Sequence, residues 1–215
     1  MRLRPWHLFV LAAPLLWAIL VVLHPNEEGG LYEGIADQAN KWIFVHFGQL
    51  VLTPLIAAGV WMLLGGIQSI AALIARAALV LWMVFFSAFD AIAGIATGVL
   101  TRHANSLPPG EEREGLVRGI NFLFDDSQLV GGSNFSILAN LGQDSWIVLA
   151  LAGAVALWRA GVARLVVGAT ILSVLFATHA GYAAAVGLVA LFVAELLRFG
   201  TRSGEVAPSR APSPA

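Results

Sequence analysis

The chain has 215 residues, of which 59% are hydrophobic and only 12% charged, and its net charge is −1. Soluble domains carry about 25% charged residues, and nucleic-acid binding needs a basic patch that neutralises phosphates, so both classes are excluded. The absence of cysteine removes disulfides, thiolate metal ligands, a catalytic thiol and c-type haem attachment.

Apolar runs of about 20 residues, the length that crosses hydrocarbon as a helix, recur along the chain. They predict an all-α polytopic membrane protein, a bundle of about six transmembrane helices in one domain, 1–199. A short basic start with Arg2 and Arg4 precedes the first run, 6–23. That run resembles a signal peptide, but VVLHPNEE after it lacks the small residues of a cleavage site, so it reads as an uncleaved span. An acidic loop with Glu27, Glu28, Glu33 and Asp37 leads to the second span, 43–64, opened by Trp42 at the depth of interfacial aromatics. A Gly65-Gly66 turn and Arg76 precede the third span, 78–100.

Residues 101–135 are the longest polar stretch. Glu111 to Asp126 reads as an amphipathic surface helix with Leu116, Ile120, Leu123 and Phe124 on one face, and Gly131 to Asn134 as a turn. The remaining spans are 136–158, 163–178 and 181–198, the last two joined by His179-Ala180-Gly181. Residues 200–215, rich in Pro, Ser and Arg, read as a disordered cytoplasmic tail.

Lys and Arg set the orientation. Six spans place Arg2, Arg4, Arg76, Arg159, Arg164, Arg198, Arg202 and Arg210 on one side, with only Lys41, Arg102, Arg113 and Arg118 opposite. The arginine-rich side, with both termini, is assigned to the cytoplasm.

On this topology the polar residues fall in the outer half. His46, Gln49 and Thr53 share a face of span two. Pro54 follows and frees the carbonyl of Leu50. Span three carries Ser87, Asp90, Gly94 and Thr97 on one face, and span four carries Ser136, Asn140, Gln143 and Asp144. Four of the five histidines, His24, His46, His103 and His179, lie outward. Such stripes are costly toward lipid and predict an outward polar pocket. Its ligand or proton site is read as Asp90, His46, Gln49, Ser87, Asn140 and Asp144. Asp90 is the lead, because a lone intramembrane acid normally has a partner or a task. The bland readings are a hydrogen-bonded structural acid at Asp90 and helix capping by Asn140 and Asp144. His24 and His103 read as loop residues, and Glu195 as a partner of Arg198 one turn on.

No HExxH, GxSxG or Walker motif is present, and no two histidines have metal spacing on one helix. A metal centre must be assembled across helices, and His46, Asp90, Asp144 and His179 are the donors that fit zinc. Two function classes follow. The first is binding of a small molecule, ion or lipid headgroup from outside, for transport or sensing. The second is a metal-dependent intramembrane hydrolase acting on a lipid-like substrate, with Asp90 or His46 as base. A third reading holds haem between His46 and His179. The partners expected are the bilayer and a small molecule or lipid, and no nucleic acid.

Overall fold

Backbone N–H and C=O groups find no water inside hydrocarbon, so a chain this apolar must satisfy them within its own helices. The computed structural model describes residues 5–25, 30–123 and 136–202, which are almost wholly helical with no strand among them. The basic start, the acids Glu27 and Glu28, the Gly131 to Asn134 turn and most of the tail lie outside the described residues. In chain order the elements are α1 (Pro5–Leu23), α2 (Leu31–Ile35), α3 (Ala39–Leu63), α4 (Ile70–Phe89), α5 (Thr97–Ser106), α6 (Glu111–Asn121), α7 (Ile137–Arg159), α8 (Arg164–Leu172) and α9 (Gly181–Arg202). A π-helical segment, Asp90–Ala96, joins α4 to α5, and a 3-10 segment, Ser173–Thr178, prolongs α8.

Five stretches are long and apolar enough to cross a membrane: Pro5–Leu23, Leu31–Leu63, Ile70–Ser106, Ile137–Arg159 and Gly181–Thr201. They mark an integral membrane protein. The expected span at 163–178 is a shorter apolar helix, Arg164–Thr178. The third stretch also begins earlier than its hydropathy suggested. Ser69 caps it by accepting from the Ala72 N–H, and Arg76, already inside the helix, donates back to the carbonyls of Leu64 and Ile67. In α7 the cap is Ser136, bonded to the Ala139 N–H, so Asn140 and Asp144 do not cap it.

The core is aromatic at its centre. Trp17, Trp82, Phe86, Trp146 and Phe176 pack edge to face or tilted, with centroids 4.8–6.2 Å apart. The indole of buried Trp146 donates to the Ser173 carbonyl at 2.8 Å, where the tighter 3-10 turn begins. Gly187 lets α9 press directly on the backbone of that segment at Phe176. Thr170 and Ser173 are satisfied locally, each hydroxyl bonding a carbonyl of its own helix.

The π segment is the stretch that carries Asp90. A π turn widens the helix and displaces carbonyls from their usual donors. Here the Trp42 indole donates to the carbonyls of Gly94 (2.8 Å) and Ala93 (3.3 Å), and the Thr97 hydroxyl bonds the same two. These bonds fix α3 against the π segment in antiparallel register. Gly98 meets Trp42 and Ile43, and Gly94 meets His46. Above them α6 lies over α2 and α5 through Ile120, Leu31, Tyr32, Ile35 and Ala104. The expected amphipathic helix is therefore present, with its apolar face on protein.

Candidate metal centre

His24, His46 and His179 come from three separate parts of the chain and converge. One ring nitrogen from each lies within 4.8 Å of the others. Local chemistry places each ring. Pro25 forces the residue before it out of helical geometry, so α1 ends and His24 turns away from the helix axis; its Nδ1 lies 2.8 Å from the Pro25 carbonyl. His46 sits on the buried face of α3, with Nδ1 2.8 Å from the carbonyl of Trp42, four residues back. His179 follows the 3-10 segment at φ 65°, a left-handed conformation uncommon for a side-chain-bearing residue. Its ring packs against Phe86 and Phe89 at 5.2 and 5.3 Å, and its Nδ1 is buried with no hydrogen-bond partner.

The carbonyl contacts decide the protonation pattern. A carbonyl only accepts, so Nδ1 of His24 and of His46 carries the proton, and in each neutral ring Nε2 is left with a lone pair. These two Nε2 atoms face each other at 3.3 Å. For them to hydrogen-bond, one ring would have to be doubly protonated. Burial opposes that: desolvation pushes the His24 imidazole below its ordinary value, and His179 further below. Two facing lone pairs call for a cation between them. Zinc–nitrogen bonds of about 2.0–2.1 Å at a tetrahedral angle set the nitrogens roughly 3.3–3.4 Å apart, which is the spacing found. Metal-bound histidines commonly donate their other ring N–H to a carbonyl or carboxylate, which fixes the tautomer and the ring orientation.

Other walls of the site are aromatic. Trp42 lies 4.3 Å from His46 and 4.9 Å from His24, ring centre to ring centre. A cleft of about 850 Å³ opens at His24, with Val21, Val22, Glu33, Gln38, Lys41 and Tyr182 among its lining residues. Glu33 is held there by the Asn121 side-chain amide at 3.2 Å, while Asn121 also accepts from the Tyr32 N–H. The α6 cap thus positions a carboxylate in the cleft wall.

Of the four metal donors expected from the sequence, His46 and His179 meet. Asp90 and Asp144 do not join the group. Asp144 is exposed on α7. Asp90 is fully buried, and neither carboxylate oxygen has a hydrogen-bond partner. The register of α3 against the π segment sets Asp90 level with Gln49 and Leu50, one turn inward of His46; the Gln49 amide is equally buried and unpartnered. Ser87 and Asn140 are half-buried, and none of Gln49, Ser87, Asn140 or Asp144 lines the cleft. The cleft therefore has walls other than the polar stripes. His24 is the member of the cluster that sequence reasoning passed over. The signal for it was the outward bias of the histidines, which separated His24, His46 and His179 from His7 but did not remove exposed His103. A scan of protein-family models and searches of curated proteins and of solved structures found no match to this chain.

Proposed function

We propose that the protein is a multi-pass membrane protein that holds a zinc-type ion through His24, His46 and His179 near its outer face, and hydrolyses an amphiphilic substrate there. The observation that carries the metal is the 3.3 Å approach of two Nε2 lone pairs whose rings are each tied through Nδ1 to a carbonyl. Three protein ligands leave the fourth position of a tetrahedral ion open, the pattern of catalytic rather than structural zinc. When bound, such an ion supplies Lewis acidity and an activated water.

The chain's own residues supply the rest. Glu33, in the cleft wall, takes the proton from the attacking water and returns it to the leaving group. Lys41 and Tyr182 at the rim face the polar end of the substrate, while Val21 and Val22 receive its apolar part. A site that binds without chemistry, read from the sequence on Asp90, His46, Gln49, Ser87, Asn140 and Asp144, shares only His46 with this centre.

Orientation follows from the arginine-rich side being cytoplasmic, with six crossings. The short stretch makes one of them only where the hydrocarbon layer, about 30 Å on average, thins locally around it. Nine α-helical residues of α8 and six 3-10 residues after it rise about 25 Å at roughly 1.5 and 2.0 Å per residue. His179 at its end is beside His24 and His46, the residues at which α1 leaves and α3 enters on the outer side.

The test is metal analysis with activity. Purified protein should carry zinc in stoichiometric amount and hydrolyse ester- or amide-linked amphiphiles in mixed micelles. Glu33→Gln should keep the zinc and lose turnover. A metal-free protein that takes up none on titration overturns the centre; full activity in Glu33→Gln overturns the hydrolytic role.

A further inference from the structure

The inner half of the bundle holds one further chemical oddity, Glu195. Its side chain is fully buried in α9, and neither carboxylate oxygen has a hydrogen-bond partner. It is not paired with Arg198, the partner its spacing suggested. It projects into a slot cut in α3 by Gly59; a Cβ there would lie 2.8 Å from the Glu195 carboxyl carbon and closer still to one oxygen. The third wall is α1: Val10 and Leu11 pack with Phe199, Phe192 and Leu196 of α9 and with Ala58 and Met62 of α3.

That wall has a particular property. Pro14, buried inside α1, has no N–H to give the carbonyl four residues back, so Val10 C=O is left as an acceptor at this junction. An ionised carboxylate cannot use an acceptor; a protonated carboxyl can, because it carries a donor O–H. The outer half repeats the arrangement. Pro54 frees the Leu50 carbonyl at the level of Asp90, the other buried acid without a partner. Each acid thus lies on an element packed against a helix that carries a proline-freed carbonyl.

We propose that Glu195 is a proton-binding site of the inner half of the bundle, neutral while its carboxyl occupies the Gly59 slot and ionised when it swings one turn along α9 to Arg198. The ligand is a proton taken from the arginine-bearing side. Binding forms one O–H bond on the carboxyl and release breaks it, with no other reactant. Among the described residues, the titratable or charged groups at the inner ends of the elements packed against α9 are His7 of α1, stacked on Phe199 at 5.7 Å, and Arg164, exposed at the foot of α8; α9 itself carries Arg198. On α3 the nearest is His46, 13 residues from Gly59, about 20 Å along the helix. The site is therefore separate from the histidine centre and stands or falls without it.

The experiment is infrared difference spectroscopy of the full-length protein in lipid vesicles, recorded between low and high pH. Glu195 should give a protonated-carboxyl stretching band that shifts in heavy water and gives way to carboxylate bands as pH rises. Glu195→Gln should delete that band, and His46→Ala should leave it in place. Where Glu195→Gln fails to fold, Glu195→Asp serves, since it keeps an acid and must move the band. A band unaltered by substitution at 195, or a Glu195 carboxyl whose band does not respond to pH, overturns the proposal.

Discussion

The ring of His46 lies in the space that a side chain at position 94 would fill: a Cβ built on Gly94 would come within 2.5 Å of the His46 Cβ and closer to the ring carbons. Glycine at 94 is thus a spatial requirement of the histidine centre. Gly94→Ala should cost about 1–3 kcal/mol of stability through overpacking and should displace the ring enough to weaken metal binding. Gly168→Ala, where nothing lies within 4 Å, is the matched control and should do neither. Thermal unfolding in detergent and metal content after dialysis read both effects.

The three histidines should act as a unit and Asp144 should not. His24→Ala, His46→Ala and His179→Ala each remove one of three ligands, so each should lose bound zinc. Asp144→Asn, exposed and outside the cluster, should retain it. Metal analysis of the four variants side by side gives the answer.

Acid should weaken both the fold and the metal site in the same window. Burial lowers the His24 imidazole below 6.5, and burial together with repulsion from the other two histidines lowers His179 further. Unfolded chains therefore bind protons at these positions before folded ones do. Their contribution to stability is present above the ordinary value and is lost as pH falls below it toward the folded values. Zinc competes with the same protons, so its affinity should hold through neutral pH and decline only at pH values below those of an exposed histidine. A denaturant titration and a zinc titration at several pH values test the two halves.

Trp146 ties α7 to the 3-10 segment that ends at His179. Trp146→Phe removes the hydrogen bond to the Ser173 carbonyl while keeping an aromatic ring, and should cost about 2–4 kcal/mol, because a buried acceptor is left unpaired and core volume is lost. Zinc affinity should fall modestly without loss of stoichiometry, because no ligand has been removed. Calorimetry on the variant measures both.

Topology can be read chemically because the chain has no cysteine. A single cysteine at Tyr182, which is 81% exposed beside the centre, should react with an impermeant thiol reagent added outside intact cells. A cysteine at exposed Gln68, in the turn before α4, should react only after permeabilisation. A cysteine at Gln49, buried within the bundle, should be protected in both conditions.

The architecture was legible because hydropathy and helix length are summed over many residues. Five long stretches, the Gly65-Gly66 turn and the amphipathic α6 follow from composition and period alone. The exposed or buried state of a given polar residue is a different matter, since it depends on which face meets which neighbour. Asp90, Gln49 and Thr53 share a helical stripe and were expected to wall an open pocket; they are packed inside the bundle instead. Asp144 continues a stripe on α7 and faces outward. His24 looked like a loop residue because Pro25 ends its helix, yet that same proline turns the ring toward His46. Glu195 had the spacing of an ion pair with Arg198, and only the Gly59 slot, formed by a residue well over a hundred positions away, draws it elsewhere. The π segment, too, has no sequence marker beyond its small residues; the carbonyls it frees are claimed by Trp42, far along the chain.

The most direct measurement is the metal content of the purified full-length protein beside His24→Ala, the ligand that sequence spacing did not suggest. The native protein should carry zinc near one equivalent per chain and gain thermal stability when zinc is added back after stripping, and His24→Ala should lose both. A native protein that neither carries nor takes up zinc, or a His24→Ala variant that binds it as tightly, would mean that the three histidines hold no ion.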